Sequence, residues 1–122
     1  MPAQPLRVLI VEDNADDAAL LVRVLRRGHY DLTWERVDSS AGLQAALRRQ
    51  TWDIVISDYS MPQFNGLSAL QVVKAHDDNL PFLLVSGTVG EDIAVNAMRA
   101  GANDYIMTVS YTHLTLPTKR IV

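Results

Sequence analysis

Cysteine is missing from this 122-residue chain. That absence excludes disulfide scaffolds, zinc–thiolate sites and cysteine nucleophiles together, and it suits a reducing, cytoplasmic location. No apolar run approaches the roughly 20 residues of a membrane span. The apolar stretch at residues 6–11 is cut off by Glu12 and Asp13, so a signal peptide is excluded and no membrane role is expected. A basic surplus is also lacking: 11 Lys and Arg stand against 14 Asp and Glu, for a net charge of −3. Direct nucleic-acid binding needs a basic face, so none is expected of this chain. The phosphate loops G-x-x-x-x-G-K and G-x-G-x-x-G do not occur, and His29, His76 and His113 lack metal-ligand spacing. Neither an internal repeat nor a low-complexity linker is present. What remains is 48% apolar and 20% charged, the composition of one globular domain long enough to bury a core.

The hydrophobic pattern alternates strand and helix. Residues 6–11 form a short apolar run broken only by Arg7, as expected of a strand buried on both faces. Asn14 is placed to cap a helix reaching Arg27, with Asp16 and Asp17 in its first turn, arginines in its last turns and Gly28 just beyond. Its apolar face is Ala18, Leu21, Val22 and Leu25. Residues 31–37 alternate as a more exposed strand, and Ser39 or Ser40 caps a second helix ending near Arg49. Residues 53–57 form a β-branched strand, 67–76 a helix, 81–86 a strand, 91–100 a helix closed by Gly101, and 105–107 a fifth strand. His29 and His76 fall near helix ends, where solvation is the default. Trp34 and Trp52 flank the second helix and are expected to pack against it. The alternation implies a parallel α/β sheet with helices on both faces and right-handed crossovers.

In such sheets ligands gather outside the carboxyl ends of the strands. Strand one ends in Glu12 and Asp13, strand three in Asp58, and strand four in Ser86 followed by Gly87 and Thr88. Three carboxylates converging on one edge repel each other and resist desolvation. A hard divalent cation resolves the conflict, and Mg²⁺ suits a few carboxylates plus waters. An Asp beside Mg²⁺ can attack a phosphoryl group, and a hydroxyl such as Ser86 can donate to another of its oxygens.

The segments VLIVEDN at 8–14, DIVISDYSMP at 53–62, LLVSGTVGED at 83–92 and AGANDYIM at 100–107 together resemble the receiver domain of bacterial two-component response regulators. The resemblance implies a flavodoxin-like, doubly wound, five-stranded sheet in the order 2-1-3-4-5. It implies that Asp58 accepts a phosphoryl group from a histidine kinase or phosphotransfer protein. Glu12 and Asp13 match the family's acidic pair. Asp13 and Asp58 would bind Mg²⁺ with the backbone carbonyl at Ser60. Ser86 matches the hydroxyl that turns toward the phosphoryl group, and Tyr105 the aromatic that moves with it. Tyr59 and Ser60 match positions that tune dephosphorylation. The domain would act as a switch for an output domain of unknown kind, catalysing only its own phosphorylation and dephosphorylation rather than acting as an enzyme.

Two departures stand out. The family's lysine, three residues after the aromatic, is replaced by Thr108. The fifth helix that should follow is replaced by VSYTHLTLPTKRIV, with Pro117 and no amphipathic stripe. This tail resembles translated read-through of a transposase-type sequencing adapter. The adapter strand, read from its third base, encodes V-S-Y-T-H-L, and its first two bases complete a Thr codon where a Lys codon would also begin with A. The expectation is a receiver domain over residues 1–108, incomplete at its C-terminus, and a non-native tail over 109–122. The missing helix should leave Leu6, Val8 and Ile106 exposed. A Mg²⁺-dependent phosphohydrolase of the haloacid-dehalogenase type is the enzyme alternative, opposed by Ser60 where that family needs a second Asp. A degenerate receiver acting by protein contact alone is the binding alternative, favoured by Thr108 and opposed by Asp13, Asp58 and Ser86.

Overall fold

The computed structural model describes residues 4–58, 64–86, 99, 101 and 104–107. Five strands, β1 (Gln4–Val11), β2 (Tyr30–Val37), β3 (Ile54–Asp58), β4 (Phe82–Ser86) and β5 (Asp104–Met107), form one parallel sheet in the order β2-β1-β3-β4-β5. Helices α1 (Ala15–Arg27), α2 (Ser40–Arg49) and α3 (Gly66–His76) connect the first four strands. The expected flavodoxin-like order is therefore observed. The helix expected over 91–100 lies outside the described residues except for Arg99, which is helical. Thr108 and the tail at 109–122 also lie outside them.

The apolar run of β1 works as a central parallel strand should. Leu9 and Val11 belong to one core cluster with Leu43, Leu47, Leu70 and Phe82 on the α2–α3 face. Val8 and Ile10 belong to the other, with Leu21, Val22, Leu25 and Ile56 on the α1 face. Each buried Leu, Val, Ile or Phe side chain contributes about 1.5–3 kcal/mol relative to exposure, and β1 is buried from Val8 to Val11 on both faces. Val8 is thus not exposed, contrary to expectation: it sits in register between Trp34 and Ile54, within the cluster that α1 covers. Leu6 is half-buried and packs against the same cluster. The Ile106 side chain lies outside the described ones.

The caps explain where the helices begin. Asn14 accepts from the amides of Asp16 and Asp17 at 2.8 and 3.1 Å, Ser39 from Gly42 at 3.1 Å, and Asn65 from Ser68 at 2.9 Å. At the end of α1 the left-handed conformation falls on His29 (φ 65°), whereas Gly28 has φ −80°. Gly28 instead gives space: a Cβ there would meet the Tyr30 ring at 3.0 Å. His29 and His76 are exposed, as expected of helix ends. The two tryptophans diverge. Trp52 is buried and donates its indole N–H to the Ala46 carbonyl in α2 at 2.9 Å. Trp34 is 38% exposed on β2, the outer strand of the sheet.

Strand β3 begins one residue later than its pattern suggests. Asp53 stays outside the strand, accepting from the Arg7 backbone amide at 2.7 Å and its guanidinium at 3.0 Å, and Asp58 closes the strand instead.

Candidate functional site

Register brings the acids together. Val11, the last residue of β1, pairs with Val37 on one side and Ser57 on the other. The residues that follow, Glu12 from β1 and Asp58 from β3, therefore become neighbours at the carboxyl edge. One carboxylate oxygen each from Glu12, Asp13 and Asp58 lie within 4.8 Å of one another. Asp13 is exposed, Asp58 half-buried, and Glu12 only 4% exposed. Asp58 pairs with Val85 and Ser86 with Met107, so the backbones of Ser86 and β5 reach the same edge. Tyr105 lies in β5 opposite Leu84. Ser60 and Thr108 lie outside the described residues.

Burial gives the centre its electrostatics. A narrow cleft beside the acids is walled by Ile10, Ala18, Leu21 and Ile56. Removal from water pushes the Glu12 carboxyl up to about 8, and the charges of Asp58 and Asp17 and a hydrogen bond with Asp13 push the same way. The Asn14 amide, donating to Glu12 Oε1 at 3.0 Å, opposes the shift. The donors are hard carboxylate oxygens with no histidine or cysteine among them, a set suited to an oxygen-seeking divalent cation. A larger groove between α2 and α3, of about 350 Å³, is lined by Gln44, Leu47, Arg48, Val72, Ala75 and His76. It contains no carboxylate, so the chemistry belongs to the strand ends despite the smaller space there.

Arg36 is a site residue the sequence pattern did not single out. It stands at the penultimate position of β2 and donates from Nη1 to the Glu12 carbonyl at 3.1 Å. Its only sequence signal is that position, one residue before a strand end that converges on the acids.

Comparisons with known proteins agree with the geometry. The response regulator receiver domain family matches residues 8–109. The chain is 37% identical over 115 residues to a protein-glutamate methylesterase/protein-glutamine glutaminase of Rhodospirillum centenum, covering 90% of this chain and 28% of that protein. It is 37% identical over 102 residues to the response regulator protein FleR of Pseudomonas aeruginosa, covering 83% of this chain and 21% of the relative. The chain thus spans well under half the length of these relatives. A crystal structure of a response regulator from Hahella chejuensis superimposes with a TM-score of 0.76 at 33% identity, covering 86% of this chain and 81% of that one. Family match, sheet order and acidic strand ends lead to one conclusion: the chain belongs to the response regulator receiver domain family of two-component signalling systems.

Proposed function

We propose that this receiver takes a phosphoryl group onto Asp58 from a histidine kinase or phosphotransfer protein, with Mg²⁺, and thereby switches an output domain or partner in the cytoplasm. The observation that carries this reading is the convergence of Glu12, Asp13 and Asp58 within 4.8 Å at the ends of β1 and β3. In this reading Asp13 and Asp58 would hold the cation with the backbone carbonyl at Ser60, and Glu12 would complete the acidic group that faces it. When bound, the ion supplies positive charge against the oxygens of the transferring group.

The residues of the chain do the rest. A carboxylate oxygen of Asp58 forms the new O–P bond as the P–N bond of the donor phosphohistidine breaks. The imidazole nitrogen leaves with the electron pair and takes up a proton. Ser86 donates its hydroxyl to a phosphoryl oxygen, and Tyr105 moves with it. Thr108, short and neutral, offers no cation to those oxygens. The added charge and acceptor oxygens then bias the neighbouring loops between two arrangements. Catalysis is confined to the chain's own phosphorylation and dephosphorylation. No helix among the described residues is long and apolar enough to cross a membrane.

The test is chemical. With Mg²⁺ and acetyl phosphate, intact-mass analysis should find one phosphoryl adduct that hydroxylamine removes and that Asp58→Asn lacks. An adduct that persists in Asp58→Asn, or that resists hydroxylamine, overturns the assignment.

A further inference from the structure

The peptide that joins the two leading acids is held by the end of the neighbouring strand. Glu12 N–H donates to the Val37 carbonyl at 2.9 Å, and Arg36 Nη1 donates to the Glu12 carbonyl at 3.1 Å. Both backbone polar groups of Glu12 are thus tied to the last two residues of β2. The Glu12 carbonyl belongs to the peptide leading into Asp13, so its orientation sets where the Asp13 carboxylate is presented. We infer that Arg36 is a positioning residue for the acidic centre: by fixing the Glu12–Asp13 peptide it keeps the Asp13 carboxylate within reach of the oxygen of Asp58.

A simpler role as a surface ion pair fits less well. Arg36 lies 3.7 Å from Asp38 Oδ2, beyond hydrogen-bond length, and Asp38 is 57% exposed. Such pairs contribute little. Two other arginines are committed elsewhere, Arg7 to Asp53 and Arg49 to Glu35. Ser57 Oγ donates to the Asp58 carbonyl at 3.0 Å from within β3, whereas Arg36 reaches the Glu12 carbonyl from the neighbouring strand.

The proposal makes a signed statement about cation binding. As a charge alone, Arg36 repels Mg²⁺, and its removal tightens binding. As a positioning donor it aligns a ligand, and its removal weakens binding. With the side chain 34% exposed, solvent screens the repulsion, whereas loss of alignment acts directly on a carboxylate that touches the ion. Groups that hydrogen-bond to a metal's ligands and orient them commonly change metal affinity about 10- to 100-fold, and this partly exposed arginine belongs at or below the low end.

This inference rests on the reading of Asp13 and Asp58 as the cation site. The experiment is a Mg²⁺ titration followed by backbone amide shifts in the wild type, Arg36→Met, Arg36→Gln, Arg36→Lys and Asp38→Ala. Arg36→Met and Arg36→Gln should bind Mg²⁺ about 5- to 10-fold more weakly, with the Glu12 and Asp13 amides already displaced before metal is added. Arg36→Lys, which can still donate to the carbonyl, should recover most of the affinity, and Asp38→Ala should bind as the wild type does. Affinity in both Arg36→Met and Arg36→Gln equal to or above that of the wild type overturns the inference, as does a lysine variant no better than they are. A wild type whose Glu12, Asp13 and Asp58 amides ignore Mg²⁺ overturns the cation reading itself, which separates the two failures.

Discussion

Glu12 and Asn14 lock the end of β1 to the start of α1: the Asn14 amide donates to Glu12 Oε1 at 3.0 Å, while the Asn14 side chain caps the helix. The buried acid is therefore positioned by the same two-residue step that begins the helix. Its low exposure and its raised pKa share one cause, the apolar wall that β1, β3 and α1 build behind it.

That raised pKa fixes a pH dependence. Between the ordinary value of 4.5 and about 8, the folded protein keeps a proton on Glu12 that the unfolded chain has released. The folded state binds more protons in this window, so stability falls as pH rises across it. Its contribution is fully present below 4.5 and lost at about 8. Urea unfolding without metal should show this slope, and Glu12→Gln should flatten it. Saturating Mg²⁺ should also flatten it, because a cation at the acids takes over the charge compensation of the proton.

Mg²⁺ should bind weakly, with few protein ligands and waters filling the remaining positions. Titration followed by amide shifts should give a saturable response near residues 12–14. Asp13→Ala combined with Asp58→Ala should abolish it; a surviving response would locate the cation elsewhere.

Removing the cap of α1 should be felt globally. Asn14→Ala loses two acceptor contacts, to the Asp16 and Asp17 amides, and should cost about 1 kcal/mol in urea unfolding. Asn14→Asp keeps the acceptor and should cost less. The backbone amide that holds Glu12 remains in both, so Mg²⁺ affinity should change little.

At the opposite edge, the Arg7 guanidinium foremost, aided by the Arg7 backbone amide, holds the Asp53 carboxyl below its usual value of 3.8. A depressed carboxylate contributes stability that is present above the unfolded value and is lost as pH falls through the lower folded one. Acid unfolding monitored by circular dichroism should therefore begin at higher pH in Arg7→Met than in the wild type. Identical acid limbs would show that the pair is fully screened.

The two ends of the exposure scale give a packing test. Phe82 is fully buried among the α2–α3 cluster, and Phe82→Ala should cost about 3–5 kcal/mol. Trp34 is 38% exposed on the outer strand, and Trp34→Ala should cost less, about 1–2 kcal/mol. A large loss at Trp34 would mean that another surface covers β2.

Local chemistry was sufficient for much of this protein. The apolar run at Val8 to Val11 reads as a strand buried on both faces, because no polar residue interrupts it to face water. Asn14 and Ser39 act as caps because a short side-chain oxygen reaches the free amides of a first turn. The alternation of strand and helix implied the parallel sheet, and the acids at its strand ends implied the cation chemistry. Tertiary structure decided what depends on neighbours distant in the chain. Val8 is covered by α1, Trp34 is left open by the outer position of β2, and Asp53 is drawn out of β3 by Arg7 across 46 positions of sequence. The raised pKa of Glu12 and the hold of Arg36 on its carbonyl have the same origin: strand register sets which side chains become neighbours, and the burial that results sets the strength of their charges.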